Sequence, residues 1–398
     1  MGGRLIVVVL LAACSSEPER KPPPPFRHND FYAALQNHAE SFTLVEGDWK
    51  EDYGDAPFYG AAFYAQEGTT SANQAHLQRA DQVHTRNREV IRDALLMGDT
   101  NEILMAMLGM IEHIAATGDH THMTALTEKM GALNNAIDIF NDYIEPDMIS
   151  GYAIDTYGPT SINGLVALVN LQHAALLADE NRSTYIEAAE RMADRLEQRA
   201  WNGETYAFSD ERNGLFLYPN ITMILLNARL HEATGKQPYL DRAVATYEGI
   251  QPLRVDEDTT WVGPGRYRSP YSAEAMGATT DDYTTLSSQN YLLFALALLH
   301  QVTDDPEYVV EMDHVLDFLS DCLVGSWRLS HVHLAVCDPL CSGEQVCVET
   351  TCTPDAQSEG VLHHWIDGRI ALPEDPEFFC SGCNLQLLYV MWYRQQLH

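Results

Sequence analysis

The stretch that decides the fold reads LFLYPNITMILLNARLHEATGKQPYLDRA and covers residues 215–243. Its first part, Leu215–Leu230, is apolar on nearly every side of a helix, so this helix must be buried on most sides. The turn Thr234-Gly235-Lys236 ends it, and Pro238 follows at once. Glycine after a helix and proline at the start of the next one are usual boundary signals. The stretch therefore predicts a helical hairpin.

The same pattern recurs along the chain. Comparable turns are Thr117-Gly118-Asp119, Ala178-Asp179-Glu180 and Thr303-Asp304-Asp305. Further helices that are apolar nearly all round are Ile103–Ala115, Ile162–Leu177, Tyr291–Val302 and Leu385–Tyr393, whereas one-sided amphipathic helices are His122–Tyr143, Ser183–Ala200 and Pro306–Leu323. A regular alternation of the two kinds indicates a repeat of helix pairs.

Four N-terminal segments complete the predicted repeat: Phe31–Val45, Phe58–Gln66, Ala72–Leu96 and Asn101–Thr117. An open α-solenoid of similar hairpins is the alternative architecture. Helices that are apolar on all sides favour closure, because an open ring would leave one concave face in water. We therefore predict an all-α domain over residues 28–398, an (α/α)6 toroid of about six hairpins.

The connections that lead into the buried helices are long, whereas the opposite turns are short. The long ones are about Ile144–Pro159, Trp201–Asn213, Gln251–Thr284 and Gly325–Phe379. In a closed toroid, all of them return to the same end. Long loops on one face of a rigid scaffold are where sites are usually built.

The N-terminus predicts export and a lipid anchor. Residues 1–13 form a signal peptide, because the apolar run after Arg4 is shorter than the roughly 20 residues of a membrane span. Leu11-Ala12-Ala13-Cys14 resembles the bacterial lipobox, in which the cysteine is lipidated; an ordinary signal peptide is the alternative. Residues 14–27 are a proline-rich tether. No aspartate follows Cys14, which by resemblance to other lipoproteins indicates the outer membrane, with the lipid as the only membrane contact.

Charge excludes one class of partner. The chain has 57 acidic and 24 basic side chains and a net charge of −33. A protein this acidic repels nucleic acid, so no nucleic-acid partner is expected. The sequence has no P-loop, Rossmann fingerprint or zinc-protease motif, and we predict neither a cofactor nor a metal.

Most cysteines fall late in the chain. Cys337, Cys341, Cys347 and Cys352 lie in a short insertion, residues 335–356. In an oxidising compartment they predict two local disulfides, with a zinc site as the alternative. Cys380 and Cys383 could be a redox pair or a disulfide, and Cys322 makes the number odd.

Two stretches carry a family resemblance. Tyr218–Ala243, and more weakly Ser287–Tyr308, resemble the six-hairpin glycosidase superfamily, especially its α-1,6-mannanase-like members. The resemblance implies a carbohydrate ligand, a site where the inner helices begin, and glycoside hydrolysis. The same toroid also hosts epimerases, lyases and non-catalytic proteins. A non-catalytic glycan-binding or envelope scaffold is therefore one alternative, and a sugar epimerase or lyase is another. A lyase would need basic groups, and Arg254, Arg266 and Arg268 are the only local cluster.

Hydrolysis of a glycosidic bond needs two carboxyl groups and aromatic rings that stack on sugar. Asp281 and Asp282 are the main catalytic candidates, because adjacent carboxylates raise each other's pKa, and Asp155 is a further one. Capping of the next helix is the alternative role of the pair. Mannanase-like members use a neighbouring aspartate pair on an earlier inner helix. Candidate sugar-binding residues near the starts of the inner helices are Tyr157, Tyr218, Asn220, Tyr283, Gln289 and Asn290.

Overall fold

The computed structural model describes residues 24–40, 44–45, 48–49, 56–93, 100–139, 141–145, 151–209, 214–255, 265–268, 284–320, 345–348, 351–354, 365–366 and 381–397. These residues contain twelve α-helices. The helices are α1 (Asn29–Glu40), α2 (Ala56–Ser71), α3 (Gln74–Asp93), α4 (Thr100–Thr117), α5 (Met123–Ile139), α6 (Gly151–Leu176), α7 (Asp179–Ala200), α8 (Leu217–Thr234), α9 (Gln237–Gly249), α10 (Leu286–Thr303), α11 (Glu307–Phe318) and α12 (Ser381–Gln396).

Every second helix belongs to a closed inner ring. Helices α2, α4, α6, α8, α10 and α12 each pack against the next, and α12 packs against α2. Outer helices cover this ring: α3 packs on α2, α7 on α6, α9 on α8, α11 on α10 and α1 on α12. Helix α5 is joined to α6 by a 2.7 Å hydrogen bond from Asn134 Nδ2 to Asn170 Oδ1. The predicted (α/α)6 toroid is confirmed, and the contact between α12 and α2 rules out the open solenoid.

Side-chain burial follows the predicted division. In α10, Leu292, Leu293 and the stretch 295–299 are at most 2% exposed. In the outer helix α7, Ala189, Met192 and Leu196 are buried, whereas the other face carries charged residues. Burial of apolar surface on both sides of the inner helices is the main contribution that holds the ring together.

The recurring short turns share one chemistry. Thr234 Oγ1 donates to the Leu230 carbonyl over 2.6 Å and accepts the Lys236 backbone N–H over 3.3 Å. Thr117 and Thr303 make the same two contacts in their own turns. The residue after each threonine has a left-handed backbone: Gly118 (φ 72°), Gly235 (φ 69°) and Asp304 (φ 62°). Each turn thus satisfies helix-end carbonyls and reverses the chain within a few residues.

Several predicted boundaries were wrong: the helix predicted as Phe58–Gln66 runs to Ser71, and the helix predicted as His122–Tyr143 ends at Ile139. Helix α1 ends at Glu40 rather than Val45, because Leu44–Val45 instead pairs with Asp48–Trp49 as two short antiparallel strands, β1 and β2. The predicted loop up to Pro159 includes helical backbone from Gly151, and the helix is broken at Gly158 (φ 79°, ψ 155°). Pro159 follows this break. We expected the loop to end there, which places the start of the helical backbone too late. Proline is also common in the first turn of a helix, so its presence does not decide between the two.

The remaining strands form three further antiparallel pairs. Strand β3 (Arg254–Val255) pairs with β4 (Arg266–Tyr267), β5 (Thr284–Thr285) with β8 (Trp365–Ile366), and β6 (Gln345–Val348) with β7 (Thr351–Pro354). The β6–β7 pair belongs to the cysteine-rich insertion. The signal peptide and Cys14 lie outside the described residues, as do Cys322, Cys337, Cys341 and Cys380. None of the described helices is long and apolar enough to cross a membrane.

Candidate functional site: the axial cavity and its mouth

The six inner helices all begin at one end of the toroid, because inner and outer helices alternate along the chain. We call this end the mouth. Strand β5 leads directly into α10 at the mouth, and β8, from the last long connection, pairs with it: Thr284 faces Ile366, and Thr285 faces Trp365. Two of the four long connections therefore meet there, as predicted.

Buried amide side chains hold the connections onto the inner helices. Gln289 Nε2 donates to the Tyr267 carbonyl over 2.9 Å, and Tyr267 N–H donates to Gln289 Oε1 over 3.0 Å. Asn220 pairs in the same way with Tyr206, over 3.0 and 2.7 Å. Both amides are fully buried. The structure thus gives Asn220 and Gln289 a structural role at the positions where we expected sugar contacts.

A cluster of tyrosines closes the ring beneath the mouth. The hydroxyls of Tyr59 and Tyr291 are hydrogen-bonded to each other, and Gln386 Nε2 donates to Tyr59 over 2.9 Å. The ring of Tyr218 packs edge-on against Tyr291 at a centroid distance of 5.1 Å. Asn290 Nδ2 reaches Gln386 Oε1 over 3.3 Å. The network joins α2, α8, α10 and α12, and it contains the predicted site residues Tyr218 and Asn290.

The sequence patterns do not mark Tyr59 and Tyr291 as site residues. In the sequence, each of these tyrosines is simply one apolar position of a helix that is apolar on nearly every side. The signal that could have found them is their position: like Tyr218, each lies within the first two turns of an inner helix. In a closed ring, such positions face one another below the mouth.

A cavity of about 100 Å³ runs along the axis from this cluster towards the C-terminal ends of the inner helices. Its walls are mostly aromatic rings and leucines. The lining residues are Phe58, Tyr59, Leu108, Glu112, Leu165, Leu168, Gln172, Leu225, Arg229, Tyr291, Phe294, Leu298, Tyr389 and Tyr393. Each inner helix contributes to it, so the cavity is the axis of the toroid itself.

The end of the cavity away from the mouth is polar. Tyr389 donates a hydrogen bond to Glu112 Oε2 over 2.7 Å, and Arg229 forms an ion pair with Glu232 over 2.6 Å. Burial, followed by the charge of Glu112, raises the pKa of Tyr389 well above its ordinary value, so the phenol stays protonated. Among the described residues, Glu112 is the only carboxylate that lines the cavity. An acid/base pair for hydrolysis would therefore need carboxylates from the mouth.

In the sequence, the predicted catalytic residues precede α10 or fall at the start of α6. Asp281, Asp282 and Tyr283 lie outside the described residues. The backbone of Asp155 and Tyr157 lies in the first part of α6, just before the break at Gly158. These assignments therefore remain predictions.

Comparison with known proteins gives the fold. No protein-family model and no curated protein matches the sequence. A GH76 α-mannanase from Bacteroides thetaiotaomicron superposes with a TM-score of 0.59 at 11% identity, covering 92% of this chain and 96% of that one. A D-mannose isomerase gives 0.57 at 11% identity, covering 93% and 98%. An inactive α-1,6-mannanase variant from Salegentibacter sp. HEL1_6, with two adjacent aspartates replaced and α-1,6-mannotetrose bound, gives 0.54 at 11% identity, covering 93% and 99%.

The chain has the fold of the six-hairpin glycosidases. A hydrolase and an isomerase share it, so the likeness establishes the architecture and leaves the reaction to be argued from the site.

Proposed function

We propose that this protein binds carbohydrate at the mouth and hydrolyses a glycosidic bond there. The observation that carries the proposal is the closed ring of inner helices with Tyr59, Tyr218 and Tyr291 directly beneath the mouth. Tyrosine combines a flat apolar face with a hydroxyl, and sugar rings present both kinds of surface. The starts of the inner helices also turn backbone N–H groups towards this end, where hydroxyl-rich ligands accept hydrogen bonds.

We assign the acid/base work to Asp281 and Asp282, which precede the mouth strand Thr284–Thr285 in the sequence. One carboxyl group would protonate the leaving oxygen, and a second, ionised one would act on the other side of the bond. Asp155, at the start of α6, is a further candidate for the second group. The solved mannanase in which two adjacent aspartates are replaced is inactive and holds α-1,6-mannotetrose. It supports α-mannan as the first substrate to test.

The experiment is an assay of reducing ends released from α-mannans and other glycans by the purified protein. Asp281→Asn and Asp282→Asn should each lower turnover at least a hundredfold, because loss of acid/base catalysis costs that much or more. The control is Asp194→Asn, whose carboxylate is exposed on the outer helix α7. Turnover that survives in both mouth variants would refute the assignment.

A non-catalytic glycan-binding or scaffold role is the second candidate. The single carboxylate among the described cavity residues, Glu112, favours it. This role predicts that oligosaccharides bind to wild type and to the Asp281→Asn/Asp282→Asn double variant with equal affinity and that neither turns them over.

A uronate lyase has less support, because the basic cluster is engaged within the protein. Arg254 pairs with Glu311 over 2.6 Å and 3.0 Å, and Arg266 donates to Thr284 Oγ1 over 2.9 Å. Arg268 donates to the Pro252 carbonyl over 2.7 Å.

We further propose that Cys14 is lipidated and anchors the protein in the cell envelope, in the outer membrane. The lipobox-like sequence and the proline-rich tether support this. Cys14→Ser should move the protein from the membrane fraction to the soluble fraction or leave the signal peptide uncleaved. Unchanged membrane attachment would contradict it.

A further inference from the structure

The walls of the axial cavity follow a spacing of four residues. Five inner helices each contribute two lining residues at positions i and i+4, which lie one turn apart on the same face of a helix. The pairs are Leu108 and Glu112, Leu168 and Gln172, Leu225 and Arg229, Phe294 and Leu298, and Tyr389 and Tyr393. The first residues of the pairs form a layer of leucines and aromatic rings. The second residues lie farther from the mouth, and we call them the polar layer, because four of the five are polar.

The cavity opens at the end opposite the mouth. In the polar layer, Glu112, Gln172 and Tyr393 are partly exposed. Exposure falls towards the mouth: Leu108, one turn deeper, is 5% exposed, and Tyr59, beneath the mouth, is 1% exposed. Water therefore reaches the cavity through the polar layer. This opening is separate from the mouth, where we propose that glycans bind.

The polar layer contains a carboxylate that no cation of the described chain neutralises. Arg229 pairs with Glu232 over 2.6 Å, and Gln301 Nε2 donates to the other oxygen of Glu232 over 3.3 Å. Glu112 instead accepts the hydroxyl of Tyr389 through Oε2. Among the described residues, no lysine, arginine or histidine forms an ion pair with Glu112. Because Glu232 neutralises Arg229, the charge of Glu112 leaves this end of the cavity negative.

A second acceptor in the polar layer has no donor. The Oε1 atom of Gln172 is buried and has no hydrogen-bond partner in the part of the chain that the structure describes. Other buried atoms of the described chain share this lack, such as Nδ1 of His173, but Gln172 alone among these residues lines the cavity. Gln172 on α6 and Glu112 on α4 belong to inner helices that pack against each other. A group that enters the cavity here is therefore expected to donate hydrogen bonds.

We propose that the end of the cavity opposite the mouth binds a small primary alkylammonium ion. The ammonium group donates to Glu112 and Gln172, and the alkyl chain lies against the deeper layer of leucines and aromatic rings. Aromatic faces such as that of Phe294 attract cations, and the net charge of −33 draws them to the protein. The cavity holds about 100 Å³. Because a cavity of about 150 Å³ binds benzene, a chain of roughly four carbon atoms fits.

A small carboxylate is the rival ligand, because Arg229 also lines the cavity. The charge of Arg229 is already engaged by Glu232, whereas that of Glu112 has no such partner among the described residues. A carboxylate would also add a third negative group beside Glu112 and Glu232, and it would bring no donor for Gln172. These contacts favour the cation.

The test is a ligand-observed NMR titration of the full-length protein with n-butylammonium chloride at constant ionic strength. Sodium butyrate provides an anion of similar length. We expect saturable binding of n-butylammonium, and binding of butyrate that is at least tenfold weaker. Glu112→Gln and Gln172→Leu should each weaken n-butylammonium binding roughly tenfold or more, because each loses an acceptor for a charged donor. Glu128→Gln is the matched control: it removes a carboxylate exposed on the outer helix α5 and should bind as wild type does.

Glu112→Gln keeps the side-chain volume and an acceptor for Tyr389, so this variant should fold, and circular dichroism checks that it does. Gln172→Leu tests the site independently, because it leaves the contact between Glu112 and Tyr389 in place. The proposal would be overturned by absence of saturable binding to wild type or by tighter binding of butyrate than of n-butylammonium. Wild-type affinity in folded Glu112→Gln or Gln172→Leu would also overturn it.

Discussion

The side-chain amide of Asn163 pairs in both directions with the backbone of Ile144. Ile144 N–H donates to Asn163 Oδ1 over 2.7 Å, and Asn163 Nδ2 donates to the Ile144 carbonyl over 3.0 Å. Asn220 does the same with Tyr206, and Gln289 with Tyr267. A carboxamide can do this because it carries a donor and an acceptor side by side. Side chains of three successive inner helices, α6, α8 and α10, thus hold the connection that precedes each helix in place. These contacts determine the backbone positions at the mouth.

Replacement of Asn220 tests this fastening. Asn220→Leu would leave the buried N–H and carbonyl of Tyr206 without partners, and buried unpaired groups cost about 1–3 kcal/mol each. We expect the free energy of unfolding, measured in urea, to fall by roughly 2–5 kcal/mol. Asn181→Leu, at an exposed position of α7, should change it by less than about 0.5 kcal/mol. Equal stability of the two variants would contradict the structural role.

The ring could be predicted from sequence, and the role of its polar residues could not. Helix type follows from local periodicity, and turns such as Thr234-Gly235-Lys236 mark the boundaries within a few residues of chain. An asparagine at the start of a helix gives no such signal. Whether Asn220 meets a sugar or the backbone of Tyr206 depends on the path of the preceding connection, which local patterns do not specify.

The contact between Tyr59 and Tyr291 could not be predicted, for a related reason. Tyr59 and Tyr291 lie 232 positions apart and meet only because the ring closes between α12 and α2. The proposed catalytic carboxylates were easier to nominate, since Asp281 and Asp282 stand out as adjacent aspartates in the sequence before α10. Their chemistry depends on burial and on neighbouring charges, which a sequence pattern does not contain.

The break in α6 makes a sharp test of backbone strain. Gly158 has a left-handed backbone, and a Cβ atom there would lie 2.3 Å from the ring of Phe208. Gly158→Ala should lower the free energy of unfolding by about 2 kcal/mol or more, through strain and overpacking. Gly131→Ala is the matched control, because its Cβ meets nothing within 4 Å inside α5, and it should raise stability by up to about 1 kcal/mol. A neutral Gly158→Ala would be inconsistent with this backbone.

The ion pair between Arg394 and Asp313 joins α12 to α11. Their closest atoms are 3.2 Å apart, and the side chains are 1% and 6% exposed. Asp313→Ala would leave a buried guanidinium without its carboxylate, which costs about 3–5 kcal/mol. Asp138→Ala, which breaks the exposed pair with Arg191, should cost less than about 1 kcal/mol. Thermal and urea unfolding of both variants measure the difference, and similar losses would show that burial does not matter here.

The register of β6 and β7 sharpens the prediction for the cysteines. Cys347 stands directly opposite Cys352. Opposite residues of antiparallel strands have Cα atoms about 4.5–5.5 Å apart, which fits a disulfide. Mass spectrometry of the unreduced protein should therefore find Cys347 linked to Cys352, and Cys337 to Cys341. Four free thiols with stoichiometric zinc would contradict both links.

His173 should make stability depend on pH. It is fully buried on α6, with its ring edge-on to Tyr185 at 4.7 Å, and burial lowers its pKa to about 4, from 6.5. Between these two values the unfolded chain binds a proton that the folded protein does not. Stability from this residue is therefore complete above about pH 6.5 and is lost as the pH falls towards 4. The full loss would be roughly 3 kcal/mol at most.

His173→Phe keeps an aromatic ring against Tyr185 and removes the titrating group. The free energy of unfolding, measured in urea between pH 4 and 6.5, should depend on pH less steeply in this variant than in wild type. The difference in slope should correspond to the binding of up to one proton. Other buried histidines such as His84 keep part of the slope, because burial lowers the pKa of that ring too. His231→Phe, at a partly exposed position, should retain the wild-type slope. A slope in His173→Phe identical to wild type would mean that His173 is already charged in the folded protein or titrates alike in both states.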